Sequence, residues 1–213
     1  MAIAISCLLH YSKRSHYIRA LGFYAVASIF FSLVQEILIW FFSNVGLNFI
    51  GNGSVLSEAC FFSLAFYYAT ESTIFRKGIF ISVTFYTIFY LITFLFFDIN
   101  SYSFIRFGRD SLMICYALAY FYYLIRKLPE ENLLKLPMFW VNSAVMFFFS
   151  GTFILSLMVD YIVSVFNNDL AGFWAFRNLF RLAFCLVLAY AGWLNWRSIK
   201  SKEKRQLNNP VNF

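Results

Sequence analysis

The chain has 213 residues, 62% of them hydrophobic and 23% aromatic, with only 13% charged and a formal net charge of +7. A soluble domain carries about a quarter of its residues as charged ones, and a chain of this size has too little interior to hide so much apolar surface, which argues against a water-soluble globule. The cations follow the ends of apolar runs and gather in no basic, aromatic-interleaved patch, so nucleic acid is not an expected partner and the lipid bilayer is.

The first eleven residues, MAIAISCLLHY, are apolar. As a helix they reach only about half way across a hydrocarbon core roughly 30 Å thick. Lys13 and Arg14 follow this run where a signal peptide would have them precede it, and no small-residue cleavage site is seen. The segment therefore reads as a short or partial first helix. Six longer apolar runs predict helices over 18–42, 54–74, 78–97, 109–125, 138–159 and 173–196, joined by short loops. "NGS" at Asn52, beside two glycines, reads as a turn. The expected fold is all-α: a polytopic membrane helix bundle of six full transmembrane helices plus the partial one. It occupies 1–197, with a basic and then polar disordered tail over 198–213.

Lys and Arg near helix ends stay cytoplasmic during insertion. Alternate loops place 13 of 17 cations and four of ten acids on one side, net +9. Arg106, Arg109, Arg177 and Arg181 fall on the other side with Glu36, Glu58, Asp98, Asp110, Asp160 and Asp169, net −2. Seven segments with the N-terminus out and the C-terminus in follow. Trp40 and Trp174 then fall at the outer boundary, and Trp140, Trp193 and Trp196 at the inner one, where amphipathic rings sit.

The stretch GFWAFRNLFRLAF, 172–184, puts Arg177 and Arg181 at i and i+4 within the outer half of the last helix. An arginine cannot shed its charge, and a carboxylate in hydrocarbon must find a cation or a proton. Glu36, Glu58, Arg109, Asp110 and Asn178 lie at similar depth, and Ser28, Ser32 and Gln35 extend a polar stripe along the helix that carries Glu36. An outer-leaflet cluster of Glu36, Glu58, Arg177 and Arg181 is expected, with Arg109, Asp110 and Asn178 beside it. Two roles compete for it: interhelical fastener, or lining of a cavity for a small polar ligand.

The fifth long run, MFWVNSAVMFFFSGTFILSLMV, begins after Pro137, a residue suited to the first helical turn. Its Asn142, Ser143, Ser150 and Gly151 are expected to let helices pack closely. Cys7, Cys60, Cys115 and Cys185 lie on four different segments and read as small buried apolar residues. The two histidines, His10 and His16, flank the first basic turn. No metal site, cofactor motif or catalytic constellation follows, so an enzyme is the less favoured class.

LPMFWVNSAVMFFFSGTFIL, with Pro137, Phe139, Trp140, Asn142, Ser143, Ser150 and Gly151 as its motif, resembles a family of uncharacterised multi-pass inner-membrane proteins common in Bacteroidota. The resemblance implies a bacterial inner (plasma) membrane location and suggests a role beside separately encoded sensor kinases; it implies no activity. The leading expectation is a receptor-like or sensory subunit that binds a small polar ligand or a protein partner through the outer cluster. A small-solute or ion transporter and a membrane-embedded lipid enzyme are the alternatives, with a homo-oligomer or a second signalling protein as possible partners.

Overall fold

The computed structural model describes residues 14–41, 47–96, 102–127, 133–165 and 171–208. The partial helix expected over 1–11 lies outside the described residues, as do Lys13, Asp98 and Asp169. Among those described, every regular element is helical. They are α1 (His16–Phe41), α2 (Leu47–Ala69), α3 (Thr73–Phe96), α4 (Tyr102–Lys127), a short 3-10 turn (Leu133–Lys135), α5 (Pro137–Val165) and α6 (Ala171–Asn208).

α1, α3, most of α5 and a long stretch of α6 are long and apolar enough to cross a membrane. α2 and α4 are of similar length but carry Glu58 and the set Arg106, Arg109 and Asp110. Both helices begin earlier than their apolar runs. α2 takes in Asn52 and its flanking glycines, so the expected turn there is helix instead. α4 takes in Arg106, so the Arg109 and Asp110 pair lies about two turns inside the helix rather than opening it. α6 continues to Asn208 where a disordered tail was expected.

α2 is the hub, packed against α1, α3 and α4, and α5 lies between α4 and α6. The core is aromatic. Phe62, Phe66, Phe149 and Phe184 are fully enclosed. Phe148 stacks on Phe184 at 4.5 Å between centroids, and Phe62 packs against Tyr24 at 4.8 Å. Outside this core Phe80, Ile81, Phe85 and Leu95 of α3, Ile154 and Leu157 of α5, and Leu179, Leu182 and Leu186 of α6 are all exposed. Water tolerates no apolar girdle of that extent; acyl chains do.

Small residues set how closely helices approach. A Cβ on Gly53 would sit 3.2 Å from the Phe31 ring, and one on Gly151 would sit 2.6 Å from the Phe180 ring. Asn142 of α5 is fully buried and donates from Nδ2 to the Ala117 carbonyl of α4 at 3.1 Å. Ser143 turns back on the Phe139 carbonyl of its own helix, and Ser150 is half-buried. Pro137 is the first residue of α5, as expected. Cys60 and Cys115 are exposed and Cys185 is half-buried, which corrects the reading of the cysteines as buried.

Candidate functional site

The residues of the expected polar cluster fall mainly into two systems. The first is dry. From α4, Arg109 donates through Nε and Nη2 to Asp110 Oδ1 at 2.8 and 2.6 Å, and through Nη1 to Glu58 Oε2 of α2 at 2.5 Å. Tyr24 of α1 donates its hydroxyl to Glu58 Oε1 at 2.9 Å. The Phe149 ring of α5 lies under the guanidinium, 5.2 Å from centroid to Cζ. Arg109 is 4% exposed, Asp110 0% and Glu58 9%. Three helices are thereby joined by charge-assisted hydrogen bonds, and a fourth by a cation–π contact, in a low-dielectric interior, the setting in which such bonds are strongest.

The second system is open. Ser28, Ile29, Ser32, Leu33 and Glu36 of α1 face Arg181 of α6 across a groove of about 300 Å³. Arg181 Nη2 donates to Ser28 Oγ at 3.2 Å. Glu36, Ser32 and Arg181 are all exposed. Ser28, Ser32 and Glu36 recur at every fourth residue, so their side chains climb one face of α1, with Glu36 about two turns beyond Ser28. The groove exists because the backbones of α1 and α6 do not run close together, α1 packing along α2 and α6 along α5. At the opposite end the two helices are latched. Arg14 Nη1 donates to the Gly192 carbonyl at 2.8 Å and to Asn195 Oδ1 at 3.3 Å, and Asn195 Nδ2 donates to Ser15 Oγ at 3.1 Å.

The expected single cluster is thus divided. Glu58 pairs with Arg109 rather than with the two arginines of α6. Glu36 and Arg181 share the groove, joined by no ion pair within 4.0 Å. Arg177 is half-buried and engaged in contacts of its own, and Asn178 is exposed. Ser28, expected in the polar stripe of α1, supplies the hydroxyl that meets Arg181, whereas Tyr24, which the sequence reading leaves out, supplies the one that meets Glu58. Their spacing of four residues, in line with Ser32 and Glu36, was the available signal.

Among the described residues no group of three or more His, Cys, Asp or Glu side chains is placed to hold a metal ion. A further groove of about 320 Å³ between α2 and α3 is lined almost wholly by apolar groups, among them Leu64, Ile79, Phe80 and Ile88. Neither a family model, a curated protein nor a solved structure matches this chain.

Proposed function

We propose that the protein is an inner-membrane bundle of six full spans with its C-terminus in the cytoplasm, and that it works as a receptor-like subunit taking a polar-headed ligand into the α1–α6 groove. The orientation rests on the charge bias. Arg76 and Lys77 near the start of α3, Arg126 and Lys127 at the end of α4, Lys135 just before α5, and Arg197 and Lys200 in the last third of α6 make up this bias, while Glu36 lies toward the C-terminal end of α1 and Arg181 in the first third of α6.

The observation that carries the binding reading is a pair of opposite charges, Glu36 and Arg181, exposed in one groove between two apolar helices. An exposed guanidinium at membrane depth is costly unless water, a lipid headgroup or a ligand meets it. Arg181 with the Ser28 and Ser32 hydroxyls suits an anionic group, and Glu36, about two turns nearer the outer surface, suits a donor. Ile29 and Leu33 between them suit an apolar chain. The matching ligand is an anionic or zwitterionic amphiphile.

The test is thermal unfolding of the full chain in detergent with alkyl phosphates, fatty acids and lysophospholipids of one chain length. Stabilisation by an anionic or zwitterionic head, growing with the logarithm of ligand concentration and lost in Arg181→Gln, supports the reading. Equal stabilisation of wild type and Arg181→Gln, or none by any of these amphiphiles, overturns it.

A further inference from the structure

The dry system carries a charge imbalance. One guanidinium, Arg109, meets two carboxyl groups, Glu58 and Asp110. Glu58 has both oxygens occupied, by Arg109 and by the Tyr24 hydroxyl. Asp110 has both of its guanidinium bonds on Oδ1, while Oδ2 is buried with no hydrogen-bond partner. A fully ionised trio would leave one uncompensated negative charge in a nearly enclosed site and one bare oxygen on a fully buried Asp110, a cost of several kcal/mol.

Among the described residues no second cation forms an ion pair with the trio within 4.0 Å, although Arg181 lies within electrostatic reach of Tyr24. Tyr24 faces the trio from α1, its hydroxyl donated to Glu58. From α3, Tyr86 donates its hydroxyl to the Ile105 carbonyl at 3.1 Å. Thr152 of α5 stands beside Asp110; its hydroxyl lies 3.3 Å from the Phe149 carbonyl, can turn its single proton to that carbonyl or to the Asp110 carboxylate, and keeps oxygen lone pairs able to accept when it bonds Phe149. On α6, Arg181 is held by Ser28 at the groove. On α4 itself, Arg106 is half-buried, makes no ion pair with Asp110 within 4.0 Å and has contacts of its own. A metal ion would need several oxygens in place of its water shell, and only one is bare here. A proton needs one lone pair and one acceptor.

We propose that the site holds one proton on Asp110 Oδ2, donated toward Thr152, so that Arg109, Glu58 and protonated Asp110 form a neutral unit inside the bilayer. Binding takes a proton from water onto a carboxylate lone pair and changes no other bond. Losing it restores the unbalanced charge between α2 and α4, so proton occupancy and the packing of these two helices are linked. This is independent of the groove: it stands whether or not an amphiphile binds there.

Infrared spectroscopy of the full chain in lipid at neutral pH tests it, through the carbonyl stretch that a protonated carboxylic acid shows and an ionised carboxylate lacks. The wild type is expected to show a deuterium-sensitive acid band that disappears in Asp110→Asn. The band must also disappear in Glu58→Gln, where Arg109 and Asp110 balance without a proton, and must persist in Glu36→Gln. In Thr152→Val it must shift, because the acid loses its acceptor. Should Asp110→Asn fail to fold, Glu58→Gln and Thr152→Val carry the same decision. An acid band unchanged in Glu58→Gln, one that does not shift in Thr152→Val, or no band in the wild type would each overturn the assignment.

Discussion

Removing the guanidinium of Arg109 is the perturbation to which the fold should respond most. Arg109→Gln deletes three hydrogen bonds to carboxyl oxygens, two to Asp110 and one to Glu58, all within an interior only 4% exposed at Arg109. Bonds to charged groups contribute about 1.5–3 kcal/mol each, which sets a gross loss of several kcal/mol. Part is regained when the stranded Glu58 carboxyl takes up a proton, as Asp110 already has, and the two groups bond to one another, so the net falls in the range of about 3–5 kcal/mol that follows breaking a buried ion pair. Glu58→Gln deletes one of the three bonds, keeps an amide in place and leaves a balanced pair, so a loss of about 1–2 kcal/mol is expected. Replacing all three by apolar residues of similar volume (Arg109→Met, Glu58→Met, Asp110→Leu) should recover most of the Arg109→Gln deficit, since no unpaired charge remains. Unfolding in mixed micelles by titrated denaturing detergent, followed by circular dichroism, gives the three differences. A loss below about 1 kcal/mol for Arg109→Gln, or a triple variant no better than that single one, would refute the view that this cluster holds α2 to α4.

Gly151→Ala is expected to lose about 1–3 kcal/mol by overpacking, because the new methyl would meet a Phe180 ring already stacked on Phe147 at 5.0 Å; an unchanged unfolding midpoint would contradict that close approach. Asn142→Ala removes the bond from α5 to the Ala117 carbonyl and opens a small void, for a loss of about 1–2 kcal/mol in the same titration. Glu71 and Lys127 pair at 2.5 Å on the exposed loop side. The hydrogen bond and charge of Lys127 hold the Glu71 carboxyl below the usual carboxylate range, and Glu71 in turn raises the Lys127 ammonium. The Glu71 share of this stability is therefore present above the unperturbed carboxylate pKa and lost as pH falls through the lowered one. The Lys127 share is present below the usual lysine pKa and lost as pH rises through the raised one. Glu71→Gln should consequently cost little near neutral pH, nothing in strong acid and nothing in about 1 M salt; a difference that survives salt would contradict an exposed pair.

The sequence made the helices legible, because apolar runs of membrane-spanning length admit few other structures. It misplaced the starts of α2 and α4, because Asn52 between its two glycines and Arg106 before the apolar run resemble loop residues. Depth also misassigned the pairing. Glu58 lies at a level compatible with Arg109 or with the arginines of α6, and only the neighbour order, α2 against α4 and not closely against α6, decides between them. That order is a property of packing around the bundle axis, which the one-dimensional pattern of α2 does not carry. Gly151 was legible as a close contact, since few residues but glycine and alanine admit one at a helix crossing.

The division of the bundle's charges into a buried trio and an open groove is tested most directly by thiol accessibility. In a chain with its own cysteines replaced by serine or alanine, single cysteines go in at Ser32, exposed on the groove, and at Thr152, 3% exposed beside Asp110. Intact vesicles are then treated with a small membrane-impermeant thiol reagent from either side. The expected result is labelling of Ser32→Cys from the outer face alone, with Thr152→Cys protected from both sides until the protein is unfolded. Equal labelling of the two positions, or protection of Ser32→Cys from both sides, would contradict the account.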